Sequence, residues 1–123
     1  MTKNPSRRKA RSAVIVRPRI QFGPELAIGP GKIDLLRAVA ATRSISAAAR
    51  SLGLTYKRAW LLIDTLNGGF GRPVVETATG GRGGGGAFLT PLGEQLVARY
   101  DTLEARLNAA AREELKALSR LAD

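Results

Sequence analysis

Four consecutive side chains, Thr55, Tyr56, Lys57 and Arg58, bring two hydroxyls and two cations to one short stretch. At the start of a helix such a set suits base edges and the phosphates beside them. Arg58 can pair bidentately with guanine O6 and N7, Lys57 can reach a guanine or a phosphate, and the hydroxyls of Thr55 and Tyr56 suit phosphate oxygens. A second set lies in Gly80-Gly81-Arg82-Gly83-Gly84-Gly85-Gly86, where Gly81 and Gly83 let backbone N–H groups come close to a phosphate and Arg82 can enter a minor groove. The competing reading of each cation is a solvated face, and that of the glycine run is a loop that touches nothing. Trp60 either packs on a neighbouring helix or wing or meets the nucleic acid, with packing favoured. Asp64 suits a nearby arginine, because a carboxylate facing phosphates would be repelled.

Other chemistry finds little support. The chain has no His and no Cys, which removes imidazole and thiolate zinc sites, Ser-His-Asp and Cys-His nucleophiles, and any disulfide framework. No Gly-Lys-Ser/Thr follows the glycine run and a strand intervenes before the next helix, so a nucleotide-binding enzyme is a weak alternative. Glu113 and Glu114 are adjacent on a helix and point apart, which argues against paired acid-base catalysis. Neither a catalytic residue, nor a metal site, nor a cofactor is expected.

The 123 residues hold 20 Lys and Arg against 10 Asp and Glu, a formal net charge of +10. One domain with short appendages and a polyanionic partner follow from these values. Seven of the cations (Lys3, Arg7, Arg8, Lys9, Arg11, Arg17, Arg19) lie in residues 1–19, which hold no acid. Residues 1–12 are therefore expected to be a disordered basic arm, either a solubilising tail or a phosphate-contacting one. No apolar run approaches the roughly 18 residues that span a bilayer, and residues 13–16 are too short for a secretory core, so a cytoplasmic chain at the bacterial nucleoid is expected, with no membrane partner. The start at Met1 without an evident tag suggests a complete gene product.

The elements that must position the polar side chains follow from periodicity and caps. Residues 14–22 alternate as an edge strand containing Pro18, ended by Gly23-Pro24. A helix opens at Pro30-Gly31 with Ile33, Leu35, Leu36, Val39 and Ala40 on one face, and runs to about Thr42. A short helix over 46–52 is capped by Ser44 or Ser46 and stopped by Gly53. Thr55 caps a third helix from Tyr56 to about Asn67, ended by Gly68-Gly69. Extended pieces at 73–79 and 87–89 flank the glycine run as a hairpin. A last, long helix starts at Pro91 after Thr90, with Leu96, Tyr100, Leu103, Leu107, Ala111, Leu115 and Leu118 as its apolar stripe, spaced by about 3.7 residues rather than 3.5.

Helix, short helix, tight turn, helix and hairpin is the order of a winged helix-turn-helix: mainly α with a small β wing, and a long C-terminal helix for dimerisation. Ala47, Ala48 and Ala49 with Gly53 let the two central helices approach at a steep angle, and the second can then lie in a major groove. The expected division is an arm at 1–12, a DNA-binding domain at 13–90 and the dimerisation helix at 91–123.

The stretches Gly31-Lys32-Ile33-Asp34, Ser44-Ile45-Ser46-Ala47-Ala48-Ala49 and Leu54-Thr55-Tyr56-Lys57-Arg58-Ala59-Trp60 resemble the DNA-binding domain of the ModE-type molybdate-responsive transcriptional regulators. The wing from Glu76 to Ala87 and Leu89-Thr90-Pro91-Leu92-Gly93-Glu94 are similar to the same family, and the likeness covers roughly residues 14–107. A more distant one runs to the LysR-type N-terminal domain. The resemblance implies a homodimer on an inverted-repeat operator, DNA contacts from Ser44, Ser46, Thr55, Tyr56, Lys57, Arg58, Trp60, Gly81, Arg82 and Gly83, and a dimer contact from Tyr100, Leu103, Leu107, Ala111, Leu115 and Leu118. Members that sense molybdate carry further C-terminal oxyanion-binding modules; this chain stops at Asp123, so no small-molecule ligand is expected on it. A transcriptional regulator is thus the first reading, with molybdenum-related genes as its targets on resemblance alone, and a non-specific DNA-coating protein is the alternative. A third possibility, that the last helix lies on a membrane or a protein partner, fits its mixed charges poorly for anionic lipid.

Overall fold

Caps and turns set the frame of this chain, for which a computed structural model describes residues 14–78 and 86–123. Strands β1 (Ile20–Phe22) and β2 (Leu26–Ile28) come first, followed by helices α1 (Pro30–Thr42), α2 (Ile45–Ser51) and α3 (Tyr56–Phe70). Strands β3 (Val75–Thr77) and β4 (Ala87–Leu89) and helices α4 (Pro91–Ala110) and α5 (Arg112–Ala122) complete the order. The chain divides into two compact units, one of Pro18–Tyr100 and one of Met1–Arg17 with Asp101–Asp123.

In the Pro18–Tyr100 unit each helix begins where its sequence allows. Pro30 sits at the first position of α1, where its missing N–H would have had no intrahelical partner. The Ser44 hydroxyl accepts the Ala47 N–H at 3.0 Å to start α2, and Thr55 Oγ1 accepts the Arg58 N–H at 3.0 Å to start α3. Gly53, at φ 70°, makes the turn between them possible. Ile33, Leu35, Leu36 and Val39 of α1 meet Ile45, Ala48 and Ala49 of α2 and Ala59, Ile63 and Leu66 of α3 in one core, closed by Ile28, Val74, Val75 and Tyr100. Of the three alanines singled out in the sequence, Ala48 and Ala49 are buried in this core and Ala47 is half-buried.

Two boundaries differ from those expected. Of residues 14–22 only Ile20–Phe22 is strand, and it pairs antiparallel with Leu26–Ile28 in the register Ile20↔Ile28 and Phe22↔Leu26. Gly23-Pro24 ends this strand, as expected, and also turns the hairpin into β2, with Gly23 at φ 68°. Gly68-Gly69 does not stop α3, which continues to Phe70 and is closed by Gly71 at φ 71°. Gly69 serves packing: a Cβ there would come within 2.7 Å of the Leu26 side chain. The Phe22 and Phe70 rings lie 6.2 Å apart, so the hairpin rests on the end of α3.

Of the wing's two strands the second falls at 87–89 as expected and the first is shorter than 73–79, the two pairing Val75↔Leu89, Glu76↔Phe88 and Thr77↔Ala87. Its base is tied to the end of α1, where Arg43 takes the left-handed conformation (φ 57°) and its carbonyl accepts the Ala87 N–H at 3.0 Å. Thr90, buried, donates to the Pro73 carbonyl at 2.8 Å and accepts the Gly93 N–H at 3.1 Å, which fixes the start of α4 against β3.

The second unit contains the end of α4 and all of α5. A single long helix was expected; a turn at Ala111 (φ −95°, ψ 9°) separates the two, although Ala111 N–H to Leu107 O and Leu115 N–H to Ala111 O, both 2.9 Å, carry the hydrogen-bond ladder across it. No glycine or proline marks the break. Asn108 binds the backbone of Val16 twice, accepting its N–H at 2.7 Å and donating to its carbonyl at 2.9 Å. The arm at 1–12 and the wing tip, with Gly81, Arg82 and Gly83, lie outside the described residues.

Candidate nucleic-acid interface

Helix α3 turns its apolar line of Ala59, Ile63 and Leu66 into the core, which decides where its first-turn side chains go. At about 100° per residue, Lys57 and Leu61 stand on the opposite, outward line. Tyr56 and Trp60 fall on one flank of that line and Arg58 on the other. Thr55, Tyr56, Lys57 and Arg58 are all exposed. Leu61, 49% exposed, shares the outward line with Lys57. The sequence marks Leu61 only by its spacing of four from Lys57. An apolar side chain at such a place suits a thymine methyl.

The Tyr56 flank faces the wing. Ser44, Ser46, Tyr56 and Trp60 line one cavity of about 310 Å³ with Thr77 and Ala78 of the wing base, so four of the residues singled out from sequence come together. The Tyr56 and Trp60 rings meet edge to face at 6.2 Å, and Trp60 is half-buried against the core, where packing was favoured for it. The Ser44 oxygen already accepts from Ala47, which leaves its hydrogen available to donate; the Ser46 side chain is exposed.

The Arg58 flank faces α1 and the first hairpin. Arg58 lines a separate cavity of about 420 Å³ with Arg19, Lys32 and the α1 start at Gly29, Pro30 and Gly31. Lys32 donates to the Ala27 carbonyl at 2.8 Å. Its pKa is lowered from the ordinary lysine value, first by partial burial and then by the positive charges of Arg19 and Arg58. Nothing in the linear sequence placed Arg19 and Lys32 beside Arg58.

Two further placements bear on the expectations. Asp64 is exposed and has no ion pair among the described residues, so the arginine partner anticipated for it is not found there. Along the last helices, Tyr100 is 3% exposed and its hydroxyl donates to the Pro18 carbonyl at 2.7 Å. Leu103, Leu107 and Leu118 are exposed, and Ala111 and Leu115 half-buried. Among the described residues no group of acidic side chains could hold a metal ion, and no helix is long and apolar enough to cross a membrane.

Comparison with known proteins agrees with this geometry. Residues 31–94 match the family described as bacterial regulatory helix-turn-helix protein, lysR family. The chain is 46% identical over 98 residues to the molybdenum-pterin-binding protein MopB of Rhodobacter capsulatus, covering 80% of this chain and 34% of that one. It is 42% identical over 84 residues to the DNA-binding transcriptional dual regulator ModE of Escherichia coli, covering 68% and 32% respectively. The chain thus spans about a third of the length of these relatives. The CbnR_DBD-DNA complex is similar in fold, with a TM-score of 0.56 at 20% identity, covering 71% of this chain and 95% of that one. The winged helix-turn-helix architecture and the likeness to ModE drawn from the Tyr-Lys-Arg-Ala-Trp run both hold.

Proposed function

The chain belongs to the bacterial regulatory helix-turn-helix proteins of the lysR family, and we propose that it is a sequence-specific transcriptional regulator that binds double-stranded DNA as a homodimer. The observation that carries this reading is the aim of α3. Its outward line holds Lys57 and Leu61 at the free end of a helix capped by Thr55, and no acidic side chain precedes Asp64 on it. In a major groove Lys57 would meet a guanine or a phosphate, and Leu61 a thymine methyl. Tyr56, Ser44 and Ser46 would hydrogen-bond phosphates beside the groove, with Trp60 supporting Tyr56. Gly81, Arg82 and Gly83 would follow the backbone toward the minor groove.

The dimer rests on the apolar residues left uncovered in the second unit. Leu103, Leu107, Ala111, Leu115 and Leu118 repeat at helical spacing, and a second copy offers the same stripe to them. Tyr100, at the head of the stripe, is already covered within one chain and would brace it. Two such copies read an inverted repeat. The names of ModE and MopB support molybdenum-related genes as the targets.

Selection from a random duplex library across a salt series tests the reading. An enriched inverted repeat is the expected result. Salt-steep binding with no enriched sequence would replace it with a DNA-coating protein, since counterion release carries no sequence information.

A further inference from the structure

We propose that Arg19, Lys32 and Arg58 form a clamp for one backbone phosphate of the bound DNA, lateral to the groove-reading face of α3. The inference rests on the DNA-binding reading above and assigns a role to residues that reading leaves out. The three cations come from three separate elements: Arg19 from the segment entering β1, Lys32 from the first turn of α1, and Arg58 from the first turn of α3. They line one cavity, and among the described residues none of them forms an ion pair. Asp34, the acid in the same lining, is engaged by Arg37 at 3.1 Å.

Converging like charges raise the energy of the free protein, and an anion among them relieves it. Partial burial first, and then that repulsion, lowers the pKa of Lys32. The opening turn of α1, at Gly29, Pro30 and Gly31, lines the same cavity, and Gly29 supplies no capping side chain, so the positive end of the helix meets this space. Gly29 also leaves room for Arg19: a Cβ there would press on Arg19 Cγ at 3.3 Å. The flank position matters for Arg58 itself. Standing beside Lys32 and away from the outward line of Lys57 and Leu61, its guanidinium suits a phosphate oxygen pair better than a guanine edge.

A tetrahedral phosphate could reach this cavity as part of a DNA strand or as a free ion, and the clamp is assigned to the strand because Arg58 opens the very helix that would enter the groove. The test uses the full chain and a selected duplex, with affinity followed across a salt series. Arg19→Gln and Lys32→Gln should each flatten the slope of log K against log salt, by at most about 0.9 when combined, the value for the one phosphate they share, and weaken selected and scrambled duplexes by the same factor. Lys32→Arg should retain the wild-type slope. Arg19→Gln removes no buried hydrogen bond, so it remains informative if Lys32→Gln, which loses the bond to Ala27, does not fold. Unchanged slopes in the folded Gln variants, with the wild type still binding, overturn the clamp alone. A wild type that binds no duplex removes the functional reading beneath it as well. In a third arm, inorganic phosphate is titrated onto the free chain while side-chain nitrogen resonances are followed. The expected result is no saturable shift; a saturable shift lost in Lys32→Gln would make the cavity a small-anion site and overturn the assignment to DNA.

Discussion

The two units of this chain treat their apolar residues in opposite ways. In Pro18–Tyr100 the large side chains Ile33, Leu35, Leu36, Ile63 and Leu66 are fully buried. In the second unit Leu118 is 56% and Leu121 83% exposed, and α5 buries none of its residues. Helix propensity, acidic residues at 113 and 114 and Arg120 at the other end favour α5 locally, but a helix of 11 residues is marginal in water without packing. The first unit closes a core around its apolar residues, whereas the second leaves most of its apolar stripe exposed.

Substitutions can break or sharpen that contrast. The largest expected effect is on the first core: Leu36→Ala should lower unfolding free energy by about 2–5 kcal/mol in urea titrations, from lost burial plus a cavity. A cost comparable to that of a surface change would mean the core is not closed. On the face of α3, Lys57→Ala should weaken binding to the selected duplex by about 1–3 kcal/mol and relax preference at one base pair, with stability unchanged; equal weakening on scrambled duplex would make Lys57 a phosphate contact. Ser44→Ala should cost about 1 kcal/mol of stability through loss of the α2 cap, read from the same titrations. Smallest for the folded chain is Leu118→Asp, expected to stay within roughly 0.5 kcal/mol for the monomer. The same change should shift the chain from dimer to monomer in sedimentation equilibrium, and a dimer that persists would place the association elsewhere.

What was legible in the sequence was local. Ser44 and Thr55 announce their helices because a capping hydroxyl acts within three residues, and the faces of α1 and α3 repeat with the helical period. What escaped depended on distant partners. Strand β2 exists through pairing with β1, and Leu26, Ala27 and Ile28 show no alternation because all three are buried. Gly68-Gly69 resembled a stop, but Leu26 needs the bare Gly69 surface and the left-handed cap falls at Gly71. For the site, Thr55, Tyr56, Lys57 and Arg58 were found as a run, whereas the split that sends Tyr56 toward the wing and Arg58 toward Lys32 follows from which side of α3 the core covers. Leu61 had one sequence signal, its spacing of four from Lys57, whereas Arg19 reaches the cavity of Arg58 only through the fold.

The most direct test of the central claim is the affinity of the full chain for its selected inverted repeat against a scrambled duplex of equal length, at one salt concentration, with the bound stoichiometry read by native mass spectrometry. A specific regulator predicts two chains per repeat and a preference of at least about 10³. Equal affinity for the two duplexes, or a single chain saturating the repeat, would contradict it.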